Sequence, residues 1–326
     1  MIAFISRPGL TSLAATLLVA VASLAAVPAI AQPGKLPCAT VAQAPEIPFG
    51  PLEDKSLKDP DNPTKVFHVD LARLEHDCPL SRADLMKLTP DNILKLPQEL
   101  IDQIYGRLSA GPIPDGPYAG DLFFVRGEDG KTRLGEIIGG IKGRLADGKV
   151  ATLERIGEHL WKGKMFYREQ RVLRNFIEDA AIIRPLIDNV ESVPRAELPR
   201  ASLFGKFDPS NTVWLLFPAK LHCGQSLLDG RRESIIIDYA FNDEIEGFRR
   251  RPDALANRDG LRIRDEIRMI RPGFYLGRAY ANKIFLLNFI LYNDDVAQRD
   301  GAGFTAGGPV AEDCWVGEQQ RHADSR

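Results

Sequence analysis

The segment Ile284–Tyr292 carries Ile284, Leu286 and Ile290 on one face of an extended strand and Phe285, Leu287, Phe289 and Leu291 on the other. A strand with one wet face alternates apolar with polar residues, so this one must be covered on both sides. It is the last of seven strand signals. Lys164–Arg168 and Arg171–Ile177 read as a hairpin around Glu169-Gln170, followed by Val213–Cys223, Glu233–Ala240, Asp265–Ile270, Phe274–Ala281 and Ile284–Tyr292. Arg271-Pro272-Gly273 and Asn282-Lys283 join the last three through short turns, the connection that antiparallel meanders favour. So many short strands in sequence point to a closed or nearly closed barrel rather than a parallel α/β sheet. One side of Ile284–Tyr292 then faces the barrel interior, and helices supply the cover outside.

Helical signals precede the strands. Ser81 can cap Arg82–Leu88, and Thr89-Pro90-Asp91 places a capping residue and a first-turn proline before Asn92–Leu96. Gln98–Leu108 lines up Leu100, Ile101, Ile104, Tyr105 and Leu108 on one stripe, and Gly111-Pro112-Ile113-Pro114 ends it. Asp121–Arg126 reads as a short strand or an extended link. Gly135, Gly139 and Gly143 recur beside the helically spaced Leu134, Ile137, Ile138, Ile141 and Leu145, a groove that suits close backbone packing. It fits neither the Walker nor the dinucleotide-binding pattern. Upstream, Pro45, Pro48, Pro51 and Asp59-Pro60-Asp61-Asn62-Pro63 describe an extended arm.

The N-terminus sets the compartment. Arg7 is the only charge before an apolar run from Leu10 to Val27, and Ala29-Ile30-Ala31 supplies small residues for cleavage after Ala31. The expectation is a periplasmic or secreted protein with no transmembrane segment after cleavage. Cys38, Cys78, Cys223 and Cys314 all lie beyond that point, and an even count in an oxidising compartment implies two disulfides. Three pairings are possible. Cys38–Cys78 with Cys223–Cys314 is preferred, because each pair would staple a terminal segment to the core. The 42 Lys+Arg balance 44 Asp+Glu to a net charge of −2, which argues against a dedicated nucleic-acid binder. The expected organisation is a signal peptide over 1–31, an arm over 32–80, a helical region over 81–160, a barrel over 161–293 and an irregular tail over 294–326. That is an α+β protein.

Chemistry is less legible. His68, His76, His159, His222 and His322 are the candidate ligands for metal or haem, but His68-x-Asp70 and His76-x-Cys78 match no zinc spacing, so no metal site is expected. His222 and Cys223 point to opposite faces of a strand and cannot form a base–nucleophile pair. Asp265-Glu266 and Asp294-Asp295 read as solvated edges. Arg249-Arg250-Arg251 reads as an exposed loop, or as a surface for an acidic partner or headgroup.

Trp161-Lys162-Gly163-Lys164-Met165-Phe166 resembles the W-x-G-K-x-F first strand of small GxWxG-type, nitrobindin-like or lipocalin-like barrel proteins. Asp265–Arg268 and Pro272–Tyr280 resemble their later strands, so the likeness covers about residues 157–293. His159 stands where that family has its leading glycine. The chain as a whole resembles exported bacterial proteins of unknown role. The resemblance implies a calycin-like barrel that binds an apolar or haem-like ligand, with Trp161, Lys164, Arg278 and Tyr280 as ligand-binding or barrel-closing residues. In such barrels an arginine commonly lies across the first-strand tryptophan, which suggests a stack of Arg278 on Trp161. Arg278 could instead pair with a ligand carboxylate or phosphate, or lie exposed. The function expected is non-enzymatic binding of a small, mostly apolar or amphipathic ligand with an anionic head as one option. An envelope hydrolase or isomerase using the same cavity, and a barrel simply filled with side chains, are the competing readings.

Overall fold

The computed structural model describes residues 35–52, 70–124, 160–198 and 212–318. The chain divides into two compact units, Met1–Lys35 and Leu36–Arg326, and every element named below belongs to the second. The segment read as a signal peptide, the glycine groove at 135–143, and His68, His159 and His322 lie outside the described residues.

The described residues form nine strands: β1 (Gly116–Phe124), β2 (Trp161–Tyr167), β3 (Val172–Glu178), β4 (Arg195–Glu197), β5 (Thr212–Gln225), β6 (Glu233–Asp238), β7 (Ile263–Arg271), β8 (Phe274–Ala281) and β9 (Ile284–Tyr292). All except the short β4 form a closed antiparallel barrel of eight strands. Each pairs with its neighbours in sequence, β3 with β5, and β9 returns to β1. Full closure leaves the barrel no free edge. The strand that closes it, β1, lies inside the region read as helical, where the sequence suggests only a short strand or an extended link over Asp121–Arg126. Pro117 sits near its beginning, where a missing donor costs little, opposite Met165 of β2.

Glycines make room where the wall is tight. Gly163, at φ +130°, sits at the β2 bulge so close to β1 that a Cβ would fall 2.1 Å from the Tyr118 carbonyl oxygen. Inside, the Phe289 ring occupies the space a Gly277 side chain would need, and the Trp161 ring does the same over Gly120. With Tyr118, Phe166, Ile237, Ile267, Tyr275 and Leu291, these rings fill much of the interior. One end is capped by Ile187 and Val193, from the segment after β3, on Ile177, Trp214 and Leu216.

The outer wall of β7–β9 is covered as the sequence requires. Helices α1 (Leu71–Asp77), α2 (Arg82–Lys87), α3 (Pro90–Ile93) and α4 (Gln98–Gly106) precede the barrel. Ser81 and Thr89 cap α2 and α3 through reciprocal boxes with Asp84 and Asn92. Leu100, Ile101, Ile104 and Tyr105 of α4 pack with Phe274, Leu276, Ile290 and Tyr292, while Ile47 and Phe49 of the arm join the same core. The α+β reading holds, with two additions. The arm region contains α1, capped by Asp70. The tail read as irregular opens with α5 (Asp294–Thr305), which Asn293 caps and Asp294 and Asp295 favour at its positive end, despite two interior glycines. The disulfides are Cys38–Cys78 and Cys223–Cys314, with Cα separations of 5.7 and 5.4 Å. The first ties the arm to the end of α1, and the second ties the C-terminal segment to β5.

Candidate functional site

Among the described residues the barrel interior holds one charged cluster. Lys164 of β2, 2% exposed, donates through Nζ to Asn175 Oδ1 at 2.8 Å, to the Tyr239 hydroxyl at 2.9 Å and to Asp265 Oδ2 at 3.0 Å. Trp161 Nε1 donates to the same Asn175 Oδ1 at 2.9 Å, and Asn175 Nδ2 donates to the Phe217 carbonyl at 2.9 Å. Burial pushes the Lys164 ammonium below the usual lysine range, and the Asp265 carboxylate opposes that shift. Burial, followed by Asp265, pushes the Tyr239 hydroxyl well above its usual range. An ammonium has three protons to donate and here has three acceptors. The cluster is therefore closed on itself and offers no spare lysine proton to a ligand. Asp265 and Glu266, read as a solvated edge, are both buried, because adjacent residues of β7 face the interior and the helical layer respectively.

Arg278 and Tyr280 belong to a different place. Arg278 shares the outward side of β8 with Leu276, under α4, whereas Ala279 packs inside the barrel. Its Nε donates to the Tyr280 hydroxyl at 2.9 Å and its Nη1 to the Asp102 carboxylate of α4. Its guanidinium lies 4.2 Å from the Phe285 ring centre and 5.6 Å from that of Tyr105. Trp161 instead has the Lys164 ammonium 5.4 Å away and Phe289 edge-to-face at 5.7 Å. The expected Arg278–Trp161 stack is thus replaced by two separate arrangements on opposite sides of the wall. Trp161 and Lys164 come together; Arg278 and Tyr280 form a second pair.

A cleft of about 540 Å³ opens at one end of the barrel. Ile113, Tyr118, Met269 and Tyr275 form its floor, Val296 and Phe304 of α5 one wall, and Pro309, Val310 and Ala311 the other. Asp115, Arg168, Arg299 and Asp300 stand among these lining groups. Both walls are pinned. Arg82 donates to the carbonyls of Phe304 at 3.0 Å and Gly308 at 2.6 Å. Asp313 accepts two bonds from Arg168, at 2.8 and 3.0 Å, and one from the Ile113 amide at 2.8 Å, next to the Cys223–Cys314 disulfide. Tyr275 donates to the Pro112 carbonyl at 2.6 Å, fixing the floor. The four charged lining groups balance, two arginines against two aspartates. Sequence reasoning missed this site because its walls come from a Pro/Gly stretch, a turn and a tail read as irregular, and its floor from strands far apart along the chain.

Other sequence candidates are placed elsewhere. His76 Nδ1 lies 2.9 Å from Asp77 Oδ1, and Cys78 beside it is in a disulfide. His222 is exposed on the outside of β5. Cys223, Glu233 and Cys314 converge as possible metal ligands, but both sulfurs are bonded to each other. Arg249 and Arg251 brace the loop against Ser192, Asp188 and Pro185, and Arg250 is exposed. No helix among the described residues is long and apolar enough to cross a membrane.

The fold class is therefore a closed, eight-stranded, sequentially connected antiparallel barrel with a helical layer on one side. No family model and no curated protein matches the chain. Among solved structures it is similar to one titled as the crystal structure of a protein from Thermomonospora curvata, at 14% identity over 61% of this chain and 88% of that chain, with a TM-score of 0.32.

Proposed function

We propose that this chain is an exported, non-enzymatic binding protein of the nitrobindin-like or lipocalin-like kind, which takes a small, mostly apolar or amphipathic molecule in the cleft at the barrel end. The observation that carries the reading is the pinned, apolar-floored cleft of about 540 Å³, within the ~300–1,000 Å³ range of small-molecule sites. Export is supported by the leader-like N-terminus and by the absence of free cysteines among four. Binding rather than catalysis is supported by the self-saturated Lys164–Asn175–Tyr239–Asp265 cluster, which leaves no spare lysine proton for acid–base work.

Gly303 provides the test. It lines the cleft, and a Cβ built on it meets nothing within 4 Å. Gly303→Trp should therefore fill the cleft without a clash in the wall. The uncharged fluorescent probe N-phenyl-1-naphthylamine should bind the wild type saturably, and the substitution should weaken that binding at least about tenfold with little change in thermal midpoint. Equal probe affinity in the two proteins would refute the location of the site.

A further inference from the structure

One residue of the cleft floor has a hydroxyl that no described protein group uses. Tyr118 is 3% exposed, and its ring is held edge-to-face by Phe166 at 5.6 Å and by Tyr275 at 5.8 Å. Tyr275 beside it spends its hydroxyl on a backbone carbonyl, as buried tyrosines usually do. The Tyr118 hydroxyl has no hydrogen-bond partner among the described residues, and Tyr118 belongs to the lining of the cleft. The charges it feels are Arg299, Asp115 and Asp300, and all three line the same cleft, so its polar end faces that space. Burial pushes this hydroxyl above its usual range, so near neutral pH it keeps its proton and is available as a donor.

The surrounding charges decide what should accept that proton. Arg299 is matched by Asp300 through two bonds of 2.9 Å, and Arg168 by Asp313. Asp115 adds a further carboxylate, whose Oδ1 accepts from the Arg168 amide at 3.1 Å. An anionic head would meet two lining carboxylates with both arginines already engaged. A cationic head would find those carboxylates already paired or bonded, and could not use a donor.

We propose that the cleft selects apolar molecules bearing an uncharged carbonyl (a ketone, ester or amide), whose oxygen accepts the Tyr118 hydroxyl while its hydrocarbon lies over Met269, Tyr275 and Phe304. This rests on the cleft being the binding site, and it adds the class of head group.

The experiment uses octan-2-one, octane and octanoate as probes, titrated by calorimetry into the wild type and Tyr118→Phe. Since the hydroxyl has no protein partner, its removal should leave the thermal midpoint essentially unchanged. Octan-2-one should bind more tightly than octane or octanoate. Tyr118→Phe should weaken octan-2-one about three- to tenfold, the worth of one hydrogen bond of about 1 kcal/mol, and hold octane at least as tightly as the wild type does. If octan-2-one and octane bind alike and Tyr118→Phe spares both, the apolar cleft stands and the carbonyl selection falls. Octanoate binding more tightly than the ketone would likewise overturn the uncharged head. If none of the three binds, the cleft reading and this one fail together.

Discussion

Replacing Lys164 by Met keeps most of the side-chain volume and removes the only cation inside the described part of the barrel. Its partner Asp265 is 5% exposed and would then be a buried carboxylate with the Tyr239 hydroxyl, 3.2 Å away, as its remaining donor. Breaking a buried pair from one side costs about 3–5 kcal/mol, because the stranded charge has lost its solvation and its counter-ion together. Asp265→Leu should cost somewhat less, since the stranded lysine can shed its proton, the direction in which burial already pushes it. The double variant is the informative protein. Asn175 Nδ2 still donates to the Tyr239 hydroxyl at 3.0 Å and Trp161 still donates to Asn175, so no charge is stranded and few polar groups are orphaned. A well-packed apolar replacement of both members of a buried pair is commonly near neutral. Lys164→Met/Asp265→Leu should thus be at least about 2 kcal/mol more stable than the two single losses added together. Urea unfolding with the disulfides intact and a constant denaturant slope measures all four proteins. Single losses below about 1 kcal/mol, or losses that simply add, would refute the account of the cluster as one coupled unit.

On the outer wall, Arg278→Met should destabilise by about 1–3 kcal/mol, less than for the interior pair because Asp102 is partly exposed and can recover water. That loss should couple to Asp102→Asn and add independently to Trp161→Ala in the same unfolding assay; coupling to Trp161 would restore the stack that the sequence suggested. At acid pH the group to watch is Asp77, held down to about 2 from 3.8 chiefly by the Leu36 amide, then by His76 and Arg73. A carboxyl with a depressed folded pKa contributes fully above 3.8 and loses that contribution as pH falls toward 2. The thermal-midpoint gap between wild type and Asp77→Asn should therefore shrink between pH 5 and pH 2, and a gap independent of pH would contradict the assignment.

How much of the molecule is legible in its sequence depends on which forces act locally. The caps at Ser81 and Thr89 are set by residues three positions apart, and the double-sided β9 announces its own burial, so both are visible in the sequence. The disulfide pairing reflects the need of each terminal segment for an anchor. The cleft was hidden because Tyr118, Met269, Val296 and Pro309 are far apart along the chain and meet only once the barrel has closed. Arg278 was misplaced for a subtler reason. In a barrel whose wall is covered on both sides, apolar alternation no longer tells inside from outside, and a cation on an apolar-looking face can sit on either. Lys164 went in and Arg278 went out. The side that is short of space does leave a mark: a closed interior must find room for its rings, and it does so by deleting side chains opposite them. Gly120 sits beneath Trp161, and Gly277 beneath Phe289. Since neighbours on a strand face opposite ways, an inward Gly277 turns Arg278 outward to Asp102 and Phe285. The glycine next to the arginine carried the parity that hydrophobicity could not.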